Sequence, residues 1–247
     1  MSSKKADSTP EPFDIDQLKA SVRKSVELEE PIHELRLSIS EGLYLLALGD
    51  AEGQLLKKTE KVIDYGLIVG GILQLSLMGS ISLEKGFIKI ISTKQTGHIF
   101  LDKVLKNLTE GGGLIEEILR LKNKREKLHD DLEEELIGRG ILKREENTLF
   151  WIPLSERIEN VNYAYEKEIR NTLRALVLRG FKNDVSFSIL FSLTHDCHLL
   201  SEVFGSTSEI ADAKNWVKNP KKLAGVDEDL AKILGLISHF FIEKLPT

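Results

Sequence analysis

The sequence predicts a mainly α-helical fold, in which a single helical domain over residues 35–247 carries small β-hairpins. Three observations lead to this prediction. Apolar residues recur at helical spacing in most segments after Leu35. Two short β-rich segments each follow a predicted helix and a glycine. Residues 1–34 are mostly small, charged or proline, which predicts a flexible N-terminal tail in front of the domain.

The composition restricts the class of protein. A chain of 247 residues with 41% hydrophobic content can bury a substantial core. Its single cysteine, Cys197, excludes an intramolecular disulfide, and no secretory signal opens the sequence, so we expect a cytoplasmic protein. No apolar stretch reaches the roughly 18 residues that a membrane-spanning helix needs, so any membrane contact should be peripheral. The net charge of -5 disfavours nucleic acid as a partner, although a local basic patch can still act.

Two helices are predicted in the first part of the domain. Ser40 is assigned as the N-cap of the first helix, and Gly49 as its end. The second helix spans Tyr65 to Met78 and stops at Gly79. It contains three glycines, each of which lowers helix propensity by about 1 kcal/mol relative to alanine. Close packing against another backbone is the expected compensation.

Two hairpins are predicted, each after a helix and a glycine. The first runs from Ile81 to Ile91 around a Lys85-Gly86 turn. In the second, Ile141–Arg144 and Thr148–Ile152 flank a turn at Glu145-Glu146-Asn147. The recurrence of helix, glycine and hairpin suggests an internal repeat, in which each hairpin docks beside the helix that precedes it.

The remaining elements are helical. A helix starts at Thr96 or Gly97, and Gly111–Gly113 is a flexible connector to a charged helix that begins near Leu114. Val185–Phe204 is almost wholly apolar, which predicts one central buried helix. Leu230–Leu245 closes the chain as another core helix.

Residues with catalytic or metal-binding potential lack the spacing that such sites need. His195 and His198 lie three apart on a predicted helix, but Cys197 points elsewhere and the other histidines are scattered. No Gly-x-Ser-x-Gly elbow or phosphate-binding Gly-Lys-Ser/Thr motif occurs. We therefore expect no enzyme activity, no metal and no cofactor.

The most informative local feature is a basic segment, Arg120–Lys127, with five cations and one acid. On a continuous helix Lys122 and Arg125 project together and can grip one phosphate group. Lys57 and Lys58, on the loop before the second helix, can complete such a pocket. A solvated helix face remains the alternative interpretation, because the acids from Asp130 to Glu135 can neutralise the patch.

The order of these segments resembles that of the Golgi phosphoprotein 3 family, from about Leu35 to the C-terminus. No single motif is diagnostic, but their order and spacing are. The matching motifs are Leu45-Leu46-Ala47-Leu48 with Asp50-x-Glu52-Gly53, Tyr65-Gly66-Leu67, Gly79–Lys85, Thr96-Gly97 with Leu101–Leu105, and Ser192–His195. The resemblance implies a helical domain with small hairpins, in agreement with the independent prediction.

The resemblance also implies a function. Family members are peripheral membrane proteins that bind phosphatidylinositol 4-phosphate and link Golgi membranes to the cytoplasmic tails of membrane enzymes. The segment Leu121–Leu128 looks like the family's L-R-N-V-R-E-R-L, which puts Lys122 and Arg125 at its two phosphate-binding arginines. The family's pocket tryptophan falls near Lys57 or Lys58, and a further arginine falls at Ile68. The implied location is the cytosolic face of the Golgi if the protein is eukaryotic.

The second hairpin looks like the family's oligomerisation hairpin. Leu149, Phe150 and Trp151 give it apolar surface, so we expect a homo-oligomer, with packing of Trp151 onto its own domain as the alternative. Two other functions remain open at this stage. A helix followed by a hairpin is also typical of winged-helix nucleic-acid-binding regulators, and a scaffold acting only through protein contacts is the third possibility.

Overall fold

Helices build most of this protein, as its computed structural model shows for residues 31–32, 34–49, 54–123, 125–149 and 152–245. The predicted tail over residues 1–34 lies outside these described residues, apart from positions 31, 32 and 34. The helices are α1 (Ile39–Ala47), α2 (Ile63–Leu77), α3 (Ile99–Asn107), α4 (Leu114–Lys122), α5 (Arg125–Gly138), α6 (Ala164–Arg179), α7 (Val185–Asp196), α8 (Leu200–Val203), α9 (Thr207–Val217) and α10 (Glu228–Lys244). The strands are β1 (Ile81–Glu84), β2 (Phe87–Ile90), β3 (Leu142–Leu149) and β4 (Ile152–Asn160), and short 3₁₀ turns cover Lys57–Thr59 and Pro220–Lys222.

Helix α1 lies in the core, and all nine of its residues are buried. Its N-cap is Ser38, so the prediction of Ser40 is wrong. Ser38 is selected because Glu41 completes a capping box: the Glu41 amide donates to Ser38 Oγ at 3.2 Å, and Glu41 Oε2 accepts from the Ser38 amide at 2.6 Å. Ser40 lies inside the helix instead, where its hydroxyl donates to the Leu67 carbonyl of α2 at 2.8 Å.

The glycines of α2 face closely packed neighbours, as predicted. A Cβ on Gly70 would lie 3.2 Å from the backbone nitrogen of Ser40, so there the two backbones of α1 and α2 approach each other. At Gly66 and Gly71 the obstacles are side chains, Cys197 Sγ at 2.4 Å and Phe100 Cε1 at 2.9 Å. The absence of a side chain at these positions lets α1, α3 and the end of α7 close around α2.

The first hairpin is confirmed. Ile81 pairs with Ile90 and Glu84 with Phe87, around a turn in which Lys85 and Gly86 have φ of 54° and 84°. The prediction of a free connector at Gly111–Gly113 is wrong, because this segment pairs with β2: the Gly111 amide donates to the Ile88 carbonyl at 2.8 Å and the Ile88 amide donates to the Gly112 carbonyl at 2.9 Å. Three consecutive glycines have no side chains and so show no alternation of apolar and polar residues that could have indicated this pairing.

The second hairpin is longer than predicted, and its turn lies later. Strand β3 continues through Glu145-Glu146-Asn147, which we had assigned to the turn, and Leu149 pairs with Ile152. A bulge between Asn147 and Thr148 shifts the register. Charged residues can occupy both faces of a two-stranded ribbon that is open to water, so their polarity did not indicate a loop.

The predicted repeat is visible in the turns that lead into the hairpins. After α2, the Ser80 amide donates to the Leu75 carbonyl at 3.0 Å, with Gly79 at φ 71°. After α5, the Ile141 amide donates to the Leu136 carbonyl at 3.0 Å, with Gly140 at φ 68°. Both are Schellman-type helix ends that need a left-handed residue, which is why a glycine occupies each.

The predicted single helix over Val185–Phe204 is divided into α7 and α8. Helix α7 ends at Asp196, and His198 has a positive φ of 61°. The whole stretch is apolar enough to be buried in either case, so its composition could not reveal the turn. Helix α9, which has only one buried residue, Ala213, was not predicted.

Candidate functional site

The break between α4 and α5 separates the two predicted phosphate-binding residues. Lys122 is the last residue of α4 and Arg125 is the first residue of α5, with Asn123 ending the earlier helix at φ -68° and ψ -9°. The prediction that both residues project from one continuous helix is therefore wrong. The side chain of Arg125 lies outside the described part of the structure.

Lys122 rests on an aromatic platform. Its Nζ lies 5.1 Å from the ring centroid of Tyr65, in the first turn of α2, which is within cation–π range. The Tyr65 ring in turn meets Phe240 of α10 edge to face, with centroids 5.7 Å apart. Lys122 has no carboxylate partner within the described residues, so its positive charge is available to a ligand.

The two lysines predicted to complete the pocket behave differently. Lys58 donates to Ser201 Oγ at 2.6 Å and forms an ion pair with Glu202, so α8 already holds its ammonium group. Lys57 is exposed, and none of the described carboxylates pairs with it. The contact that the structure shows is Lys122 on Tyr65. The part of Lys57, on the turn that leads into α2, stays a prediction.

Position 68 cannot supply a ligand contact. The resemblance places a family arginine there, but Ile68 is only 2% exposed and packs in the core. Tyr65, three residues earlier, is the residue of this helix that faces Lys122. Tyr65 was not among the predicted site residues, and the only signal for it in the sequence was its place in the motif Tyr65-Gly66-Leu67.

A buried polar network flanks the first turn of α2. Asp64 lies 2.9 Å from His129 Nε2, and the His129 ring packs edge to face against Tyr44, with centroids 5.8 Å apart. The Tyr44 hydroxyl donates to Glu133 Oε1 at 2.5 Å. Burial, reinforced by the Glu133 charge, raises the pKa of Tyr44, so the phenol stays protonated. This network fixes α5 against α1 and α2, and thereby the start of α5.

A second group of polar residues has the spacing of a metal site but is fully engaged in other bonds. Ligand atoms of Glu41, His98 and Glu135 lie within 4.8 Å of one another. Glu41 accepts from the Ser38 amide and from Arg139 Nη1, the latter at 2.9 Å, while Glu135 Oε1 lies 2.6 Å from His98 Nδ1. A guanidinium beside the carboxylate opposes a bound cation, so these residues form an ion-pair network between α1, α3 and α5.

His195 and His198 do not form the pair that their spacing suggested. His195 is on α7 and points its Nδ1 at Asp196 Oδ1, 2.8 Å away, and that oxygen also accepts from Ser238 of α10 at 2.9 Å. His198 lies in the turn after the helix and is exposed. Both line an apolar depression of about 380 Å³ between α7, α9 and α10.

The predicted oligomerisation residues are three consecutive positions of the sequence, beginning with the last residue of β3. Leu149 is the last residue of β3, and its side chain is outside the described part. Phe150 and Trp151, which follow it, also lie outside the described residues, so their predicted role stays a prediction.

Comparison with known proteins identifies the family. None of the described helices is long and apolar enough to cross a bilayer. A search of curated proteins finds no match for this chain. The sequence model of the family described as Golgi phosphoprotein 3 (GPP34) matches residues 39–235, most of the chain and all helices from α1 to the first half of α10. The helical architecture with two antiparallel hairpins agrees with that match, and the protein belongs to the Golgi phosphoprotein 3 family.

Proposed function

We propose that this protein is a peripheral membrane adaptor that binds anionic, phosphoinositide-like head groups through Lys122, with Arg125 and Lys57 as further cations. Family membership suggests a function like that of Golgi phosphoprotein 3. The observation that carries the proposal is the position of Lys122: it ends a helix, rests on Tyr65 and has no described carboxylate partner. A lysine held in this way presents a preoriented cation to a phosphate group.

The proposal includes partners and location. The protein acts without enzymatic chemistry of its own, as a link between an anionic membrane lipid and the cytoplasmic tails of membrane enzymes. In a eukaryotic cell it works at the cytosolic face of the Golgi. Self-association through the second hairpin increases its avidity for the membrane, because linked weak sites on one bilayer reinforce each other.

Vesicle binding tests the head-group site. The variant carries Lys122→Glu together with Arg125→Glu, and the matched control carries Lys94→Glu together with Lys182→Glu. The two control lysines are exposed in loops, and none of the described acids pairs with either, so both variants change the net charge equally. Binding is measured by co-sedimentation with phosphatidylcholine vesicles that contain phosphatidylinositol 4-phosphate, phosphatidylserine or neither.

A cation near an anionic bilayer contributes about 1 kcal/mol, so reversal of both charges should weaken binding about 30-fold or more. The control variant should bind nearly as well as the wild type, and both should keep the circular dichroism of a helical protein. Equal affinity of the site variant and the control would refute the assignment. A preference for phosphatidylinositol 4-phosphate over phosphatidylserine would identify a specific head-group site rather than general attraction to anionic lipid.

A further inference from the structure

A second cationic site lies between α9, the 3₁₀ turn and α10. Four lysines line a depression of about 440 Å³, together with Asn219, Pro220 and Ala231: Lys218, Lys221, Lys222 and Lys232. Two acids lie nearby, since Glu228 is 3.5 Å from Lys232 and 3.9 Å from Lys221, and Asp229 is 3.3 Å from Lys232. These pairs are exposed and therefore weak. Lys218 and Lys222 have no carboxylate partner within the described residues, so the lysine depression keeps a net positive charge.

Exposed apolar side chains lie next to this depression. Leu236 follows Lys232 by one turn of α10, on the same face of the helix, and is 41% exposed. The tip of the first hairpin adjoins it, because a Cβ on Gly86 would lie 3.9 Å from Leu236 Cδ2. Phe87, the next residue, is 56% exposed, and Lys85 at the same tip is exposed as well.

The same surface continues to Lys122. Beneath this surface, the buried Phe240, one turn of α10 beyond Leu236, contacts the Tyr65 ring on which Lys122 rests. Helix α4 makes the same connection in parallel, since the Leu114 amide at its start donates to the Gly86 carbonyl at 2.8 Å and Lys122 is its last residue. Leu119 shares the Lys122 face of α4 and is 44% exposed. From Lys232 to Phe240 the helix rises about 12 Å, which is the length of this connection along α10.

We infer that this surface, from the lysine depression across Leu236 and Phe87 to Lys122, is the face that docks on an anionic bilayer, with the depression as a second head-group site. Cations at both ends and exposed apolar side chains between them match the layered chemistry of a membrane surface, where lipid phosphates lie above the acyl region. Exposed acids also lie on or beside this surface, among them Glu84, Glu116, Asp227, Glu228 and Asp229. Six lysines lie along it: Lys85, Lys122, Lys218, Lys221, Lys222 and Lys232. The inference rests on the proposed function for its Lys122 end only.

Three variants test the face by co-sedimentation with phosphatidylcholine vesicles that contain phosphatidylserine. Lys218→Gln with Lys222→Gln neutralises the depression, Phe87→Ser with Leu236→Ser removes the apolar contacts, and Lys122→Glu alters the other end. Lys94→Gln with Lys182→Gln is the control, matched in charge to the first variant. Each lysine near the bilayer contributes about fivefold in affinity, so the first variant should bind about 25-fold more weakly than the control.

The outcomes separate this inference from the proposed function. Weaker binding of both the depression variant and the Phe87/Leu236 variant, with circular dichroism retained, supports the docking face. Control-like binding of those two variants, while Lys122→Glu binds weakly, overturns the docking face and leaves the head-group site intact. If the depression variant and the Phe87/Leu236 variant bind weakly while Lys122→Glu binds like the control, the docking face is supported and the head-group assignment at Lys122 is refuted. If the wild type does not bind anionic vesicles, the docking face and the head-group site are both wrong. The same holds if the depression binds an acidic protein and the vesicles are not bound. The Lys→Gln changes are conservative and should not unfold the protein. If the Phe87/Leu236 serine variant unfolds, Phe87→Gln alone tests whether the apolar side chains contribute to vesicle binding.

Discussion

Replacement of Gly66 by alanine should destabilise the protein, although the same change elsewhere in a helix stabilises. Alanine raises helix propensity by about 1 kcal/mol relative to glycine. At position 66, however, the new Cβ would lie 2.4 Å from Cys197 Sγ and 2.8 Å from Leu43 Cδ2, and both of those side chains are fully buried. Overpacking of a buried site costs about 1–3 kcal/mol for a misfit of this kind, and two contacts must be relieved here. We expect a net loss of about 1–2 kcal/mol in the free energy of unfolding.

Gly235 provides the matched control. It lies in α10, is exposed, and has no atom within 4 Å of the position its Cβ would take, so Gly235→Ala should gain up to about 1 kcal/mol. Urea unfolding measures both changes, and in a chain of this size Gly66→Ala should lower the Tm by about 2–8 °C. Adding Cys197→Ala to Gly66→Ala should recover part of the loss, because it removes the nearest obstacle. If Gly66→Ala were as stable as Gly235→Ala, the close packing of α2 against the end of α7 would be refuted.

Two further predictions concern the Glu117 carboxylate of α4, which accepts hydrogen bonds from the loop before that helix, and self-association through the second hairpin. Burial favours the neutral form of Glu117, but hydrogen bonds from Arg120 and Thr109 outweigh this effect and hold the pKa of the carboxyl below its usual 4.5. The ionised carboxylate therefore stabilises the fold above pH 4.5, and this stabilisation is lost as the pH falls through the lowered pKa. The difference in unfolding free energy between wild type and Glu117→Gln should therefore shrink on acidification below about pH 4.5, and a difference that is constant with pH would contradict the ion pair. Phe150→Ser with Trp151→Ser should reduce the mass measured by light scattering and, through lost avidity, lower vesicle affinity by roughly 10²-fold. A wild type that is monomeric at micromolar concentration would refute self-association, and unfolding of the variant would instead assign Trp151 to the core.

Elements with a local signal could be predicted from the sequence. The first hairpin has alternating apolar residues around Lys85-Gly86, a pair that tolerates positive φ, so its register followed from neighbours in the chain. The end of α2 at Gly79 followed from the same principle, since a left-handed residue is needed where the chain leaves the helix. In both places the residues that decide the structure lie within five positions of each other.

Features that depend on distant contacts could not be predicted. The Gly111–Gly113 segment pairs with β2, more than twenty residues earlier, and nothing in three glycines encodes that partner. The break after Lys122 is similar, because residues on both sides have good helix propensity, while distant contacts hold α5: His129 lies by Asp64, and Glu133 accepts from Tyr44. The continuous helix assumed for the candidate site was consequently wrong, and the contact of Lys122 with Tyr65 was not predicted.

A net charge of -5 does not oppose the inferred docking face, because charges act locally, over about a Debye length. Most arginines of the described residues pair with carboxylates, and in several pairs the planar guanidinium satisfies a nearly buried acid. The pairs are Arg36–Glu168, Arg120–Glu117, Arg139–Glu41, Arg144–Glu133, Arg170–Glu166 and Arg174–Glu209. Each pair cancels locally and contributes little beyond a Debye length of about 8 Å. Lys122, Lys218 and Lys222 have no such partner among the described residues, so each brings an uncompensated positive charge to its surface. Attraction to an anionic bilayer should accordingly weaken with salt even though the protein as a whole is acidic.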